Sequence, residues 1–229
     1  DLVGRGYAST GWSWDADFFD YDNDGDDDLY VVNGMNEFNI YSNANPYYAD
    51  PKGLEMKNIY IPDSHKEQNV FFVNEGGMLQ NQSEKSGMNI LSNSRSASYF
   101  DYDNDGDLDV LVNNYHQAAF LFQNNTQKLH RNWLSVTLIG DAKAGINRDA
   151  IGAQLQFTTP NKRHIWRQVS SVTGYMSVHP KEQHIGLADE KKVNLTVVWP
   201  NGKKSHYKDI SSNQRIEIKY GDTNIKVKR

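Results

Sequence analysis

The sequence predicts an all-β fold in two parts, and three observations predict it. An acidic stretch flanked by strand-forming residues occurs twice: FFDYDNDGDDDLYVV at 18–32 and YFDYDNDGDLDVLVN at 99–113, aligned without a gap at an offset of 81. Beyond residue 129, short alternating runs are separated by turn residues, the spacing of a sandwich or open barrel. Tyr (13), Phe (9) and Trp (5) are plentiful while Ala-Leu helix runs are scarce, a balance that favours strands.

Charge divides the chain at the same place. Residues 1–128 hold 7 Lys+Arg against 21 Asp+Glu, or −14, and residues 129–229 hold 17 against 8, or +9, within a total of −5. Such asymmetry marks two domains with different surfaces, 1–128 and 129–229.

The first part is built around the repeated loop. It reads D-x-D-x-D-G-x-x-D, with Asp20, Asp22, Asp24 and Asp28 in one copy and Asp101, Asp103, Asp105 and Asp109 in the other. Carboxylates this close resist ionising together unless a cation neutralises them. Hard oxygens at alternate positions of a tight loop suit calcium, which takes about 6–8 of them. The seventh residue, Asp26 or Asp107, is expected to give its backbone carbonyl. Gly25 and Gly106 stand where the chain must turn sharply. An EF-hand begins in the same way but needs a bidentate Glu at its twelfth position and helices on both sides. Here the twelfth residues are Val31 and Val112, and the flanks are strand formers. The loop therefore joins strands, and two calcium ions are expected.

These loops resemble the FG-GAP/VCBS repeats of integrin-type propellers and bacterial surface proteins, over roughly residues 10–127. The resemblance implies a partial β-propeller of about two blades, with one calcium ion in each loop. A closed propeller needs about 4–8 blades. The missing blades are expected in a longer chain or from a partner.

The remaining elements follow in order. Trp12, Trp14, Ala16 and Phe18 alternate as a strand entering the first loop, and Leu29–Val32 leaves it. Residues 33–68 read as a long insertion with one helical turn near Leu54–Lys57. Val70–Val73 and Met78–Gln82 form a hairpin about Glu75-Gly76-Gly77. Residues 94–100 enter the second loop, and Val110–Asn113 and Phe120–Asn124 follow it. Residues 129–131 read as a linker. Strands are expected at Asn132–Ile139, Ala153–Thr158, Arg163–Ser170, Val193–Trp199, Ser205–Ile210 and Arg215–Lys219.

This second part resembles the ASPIC/UnbV domain, through the run from Gly145 to Ala153, Ile185-Gly186-Leu187, Trp199-Pro200-Asn201-Gly202 and Asn213-Gln214. Together the two resemblances point to the cartilage acidic protein-like family, which supplies no catalytic residues to carry over. A β-sandwich-like domain is implied, and the Arg148-Asp149 pair is expected to hold its Gly-rich loop.

Other chemistry finds little support. With no cysteine, disulfides and thiol catalysis are excluded. No apolar run is long enough to span a membrane, and no phosphate loop or nucleophile elbow is present. His179 and His184 lack the accompanying ligands of a zinc site. The basic clusters at 162–164, 191–192, 203–204 and 226–229 carry no nucleic-acid motif. Trp12, Trp14, Tyr47, Tyr48 and Tyr175 could stack on sugar, with Tyr47-Tyr48 the better candidate. The expected function is a non-enzymatic, calcium-binding interaction or adhesion module that is secreted, periplasmic or on the cell surface. The alternative is a carbohydrate-binding or assembly component of a bacterial surface system. The partner is a protein or glycan, not nucleic acid.

Overall fold

The structure, a computed structural model, describes residues 10–34 and 67–228. Residues 35–66 of the insertion expected at 33–68, with its helical turn and the Tyr47-Tyr48 pair, lie outside these residues, while its ends belong to strands, Asn33 to one and Glu67–Gln68 to another. The fold is nearly all β, with 49% strand and 6% helix, so the predicted class holds.

Strand β1 (Ser13–Phe19) runs into the first acidic loop and β2 (Asp28–Asn33) leaves it antiparallel, with Phe19 opposite Asp28. β3 (Glu67–Gln68) precedes β4 (Val70–Asn74) and β5 (Leu79–Asn81), and the sheet order is β1-β2-β4-β5. A short helix, α1 (Ser83–Ser86), ends at Gly87. β6 (Leu91–Ser92) pairs with β3. The second loop lies between β7 (Ser94–Phe100) and β8 (Asp109–Asn114), and β9 (Phe120–Phe122) completes a three-stranded sheet.

The repetition extends beyond the acidic loops. Register breaks fall between Ser13 and Asp15 and between Ser94 and Ser96, again 81 residues apart. Ser13 Oγ donates to Asn33 Oδ1 at 2.8 Å, and Ser94 Oγ donates to Asn114 Oδ1 at the same distance. The two sheets share one apolar core of Phe19, Tyr30, Val32, Phe71, Ala97, Tyr99, Val110 and Val112. Within it the Phe19 and Tyr99 rings stack at 4.2 Å. On β1 the alternation is as expected, but the aromatic face looks outward. Trp12 and Phe18 are 47% and 61% exposed while Asp15 and Phe19 are buried.

The second half holds β10 (Asn132–Ile139), β11 (Gln154–Thr158), β12 (His164–Gln168), β13 (Gln183–Ala188), β14 (Lys192–Val198), β15 (Lys204–Ser211), β16 (Gln214–Lys219) and β17 (Lys226–Lys228). They make two four-stranded sheets, β13-β10-β16-β17 and β12-β11-β14-β15. A second core lies here, with Leu134, Val136, Leu155, Phe157, Ile185, Leu195, Trp199 and Ile216 all buried. β10 pairs in parallel with β16 and antiparallel with β13. β13 and β17 are strands that the periodicity did not mark. The Gly in Ile185-Gly186-Leu187 interrupts the apolar signal of β13, and β17 is a short basic edge strand. The Gly-rich loop at 145–152 is a correction. Arg148 and Asp149 are exposed and without side-chain partners among the described residues. Asn147 holds that loop through Ile151 N (2.9 Å) and Ile151 O (3.0 Å), while Ile146 and Ala150 fill the core beneath it.

Candidate cation loops and the interface that grips them

Both loops turn the same way for the same reasons. Asn23 and Asn104, at the fourth position, take φ of 60° and 66°. Asn tolerates this left-handed region better than most residues. Gly25 and Gly106 follow at 87° and 98°. Side-chain oxygens then accept the loop's own N–H groups. Gly25 N donates to Asp20 Oδ2 at 2.9 Å and Gly106 N to Asp101 Oδ2 at 2.9 Å. Asp26 N donates to Asp24 Oδ1, and Asp107 N to Asp105 Oδ1.

This folding gathers carboxylate oxygens. One oxygen each from Asp20, Asp22 and Asp24 lie within 4.8 Å of one another, as do oxygens of Asp101, Asp103 and Asp109. Asp20 is 1% exposed, and its Oδ1 has no hydrogen-bond partner. A buried carboxylate oxygen without a donor is costly, and such an oxygen beside two more is the donor chemistry of a hard cation. Asp26 and Asp28, Asp105 and Asp107 fall outside the two groups. The Asp26 side chain instead meets Arg163 at 3.3 Å, and Asp107 Oδ2 accepts from Gln127 N and Thr126 Oγ1. Asp107 Oδ1 is buried without a partner.

The ninth-position carboxylates have a further task. Asp28 accepts from Tyr21 N (3.0 Å) and Asn74 N (2.8 Å), and Asp109 from Tyr102 N (2.9 Å) and Asn124 N (2.8 Å). Each ties its loop to the end of the third strand of its own sheet. Asn74 Nδ2 also donates to Asp27 O and Asn124 Nδ2 to Leu108 O, equivalent positions of the two loops.

Burial, with like charges around it, makes these groups hard to ionise. It pushes Asp20 up to about 7 and Asp28 up to about 8, against the backbone donors that favour the anion of Asp28. Burial likewise raises Asp107 to about 7 and Asp26 to about 6, and raises Asp22 and Asp109.

The second half closes over the first loop. Arg131 reaches Asp22 Oδ2 at 2.5 Å and Asp24 Oδ2 at 3.7 Å. Arg163 donates to the Asp24 carbonyl and lies against Gly25, where a Cβ would stand 2.7 Å from its guanidinium carbon. Arg167 holds Asp27 with two nitrogens, at 2.6 and 3.1 Å. Gly186 N donates to Asp20 Oδ2 at 2.9 Å, Ala188 N donates to Asn23 O, and His184 Nε2 meets Asn23 Oδ1 at 2.7 Å. His184 is buried, and that burial, with Arg167 and Arg215 nearby, lowers its pKa to about 3. At the second loop Arg215 donates to Asp101 Oδ2 at 2.5 Å, and the Trp133 indole packs on Gly106. Residues 129–131, read as a linker, therefore include a main gripping side chain.

A cleft of about 420 Å³ opens beside this contact, lined by Asp17, Phe18, Tyr99, Trp166, Gln168 and His179 among others. Trp166 is 56% exposed. His179 Nε2 lies 3.3 Å from Asp17 Oδ2. The metal-competent groups among the described residues contain only aspartates, so neither His179 nor His184 belongs to one.

A comparison with known families bears on the second half. Residues 143–225 match the family described as ASPIC and UnbV. The ASPIC/UnbV match starts just before the Gly-rich loop that follows β10 and ends just before β17. It thus takes in Arg163, Arg167, His184, Gly186 and Arg215, and leaves Arg131 and both acidic loops outside. No curated protein matches the chain. A solved structure from Bacteroides uniformis ATCC 8492, provisionally described as a cell adhesion protein, is 9% identical over 96% of this chain and 90% of that chain. Its TM-score is 0.26, and at that score it bears on neither fold nor function here.

The reading from sequence located every aspartate of the two clusters. It missed the arginines that meet them. The signal was present in the opposed charges of the halves, −14 and +9, which pointed to mutual attraction.

Proposed function

We propose that this chain is a calcium-stabilised, non-enzymatic interaction module of the cell exterior, in which two FG-GAP-type loops hold one ion each. The observation that carries the reading is Asp20 Oδ1, buried without a donor within a group of three carboxylates. Calcium suits an oxygen-only set with room for water. Asp20, Asp22 and Asp24 would hold one ion, and Asp101, Asp103 and Asp109 the other. The ion neutralises groups whose burial otherwise opposes ionisation, and so holds the loops and the strands they join. Calorimetric titration of the full chain with calcium tests this. Two sites are expected, falling to one in Asp22→Ala and one in Asp103→Ala. A wild type that takes up no calcium, or variants that still bind two ions, would sink the reading.

The cleft favours a second reading, carbohydrate binding. An exposed indole, Trp166, and an exposed ring, Phe18, flank polar side chains in a concave site, the usual make-up of a small-ligand pocket. Titration with neutral tetrasaccharides tests it. Binding should weaken in Trp166→Ala, and binding unaffected by that change would count against the cleft.

A further inference from the structure

The two loops are nearly identical in sequence, yet they meet different surroundings. In each, the first-position aspartate accepts one donor from the second half on its Oδ2: Gly186 N on Asp20 and Arg215 on Asp101. Arg215 also meets Glu182 at 3.3 Å, which shares its charge. The third and fifth positions break the symmetry. Asp22 and Asp24 face the guanidinium of Arg131. At the equivalent places Asp103 meets the neutral amide of Gln123 at 2.7 Å, and neither Asp103 nor Asp105 has a cationic partner among the described residues.

We propose that Arg131 sets the cation affinity of the first loop, making two loops of like sequence into unequal sites, a weaker first one and a stronger second one. This rests on the calcium reading above. A fixed unit positive charge beside two ligand carboxylates repels a divalent ion and competes for the same oxygens. Arg131 also pins the loop from the second half, through the Asp22 carbonyl at 3.1 Å. The first loop is therefore held in shape before any ion arrives. Ion entry there loosens a contact made to two of its three carboxylates, whereas at the second loop the contact from the second half is to Asp101 alone, through an Arg215 that Glu182 also meets.

The test uses the full chain and calcium alone, with one loop disabled at a time. In an Asp103→Asn background only the first loop remains. There Arg131→Gln should tighten calcium binding by about tenfold, the scale expected on removing a nearby, partly screened charge. Arg131→Lys, which keeps the charge, should stay within about twofold of its parent by the same argument. Arg131→Met keeps the apolar stem and should behave like Arg131→Gln. In an Asp22→Asn background, which leaves the second loop, none of these changes should alter the affinity. Unchanged or weakened first-loop binding in both Arg131→Gln and Arg131→Met would overturn the inequality while leaving the calcium reading intact. No calcium binding in either background would overturn both.

Discussion

The Asp28 carboxylate accepts the backbone N–H of Asn74 at 2.8 Å, and 46 residues of chain separate the two. Asp109 and Asn124 repeat the arrangement in the second sheet. Each carboxylate thus clamps its loop to the third strand of its sheet, whether it lies inside a metal-competent group, as Asp109 does, or outside one, as Asp28 does.

That clamp predicts a stability cost independent of metal. Asp28→Ala leaves the Tyr21 and Asn74 N–H groups without their acceptor. Both donors are half-buried, so each lost partner costs towards the lower end of about 1–3 kcal/mol, and a loss of roughly 2–4 kcal/mol is expected in calcium-free buffer. Denaturant unfolding of Asp28→Ala beside Asp24→Ala checks it. Equal, small losses in both would show that Asp28 does not clamp the strand.

Gly186 marks a close approach of the halves. A Cβ there would stand 2.2 Å from Asp20 Oδ2 and 2.4 Å from the Asn23 carbonyl carbon. Gly186→Ala must push the first loop away, with a cost of about 1–3 kcal/mol typical of overpacking. Its melting temperature should drop and its first-loop calcium binding should weaken. A variant that melts with the wild type would show that the halves do not meet at this point.

His184 gives a pH dependence with a definite sign. Its folded pKa of about 3 lies below the ordinary value of 6.5. Between those values the unfolded chain takes up a proton that the folded chain refuses. The contribution is complete above about pH 6.5 and is lost as pH falls, by at most about 1.4 kcal/mol per pH unit. Arg167 and Arg215 act on the ring in the same direction. The buried carboxylates act in the opposite sense, since their raised values favour the folded state at low pH. The difference between wild type and His184→Gln therefore isolates the ring. Stability curves of the two that stay parallel from pH 7 to pH 5 would refute the buried neutral histidine.

Residues 132–229 should fold alone. Their apolar core draws only on residues from 134 onward, Leu134 through Ile225. Expressed separately, this segment should show a cooperative thermal transition and β-type circular dichroism. An aggregated or molten product would show that the sandwich depends on the acidic loops for more than charge.

Much of this was legible in the residues. The D-x-D-x-D-G-x-x-D spacing fixes loop shape locally, because Asn and Gly at fixed places allow the left-handed turns and each Asp reaches a backbone N–H within a few residues. Apolar runs placed most strands, because alternation is local too. β13 escaped notice because Gly186 carries no side chain to mark a buried strand. The outward face of β1 escaped because alternation gives the period but not which side is buried. Asp15 and Asp17 turn inward there because Tyr175 N, Ser177 Oγ and His179 come from the far half to meet them.

The sequence by itself determined two acidic turns between strands, a basic β-rich second half and the carboxylates a cation would need. Only the tertiary structure decided that those halves close on each other, with Arg131, Arg163, Arg167 and Arg215 entering the acidic loops from positions 107–140 residues away in sequence from the carboxylates they meet. The reason is physical. A turn is set by torsions and hydrogen bonds among neighbouring residues. The surroundings of a carboxylate are set by whichever distant surface packs against it, and that depends on the register of strands such as β10 beside β13 and β16.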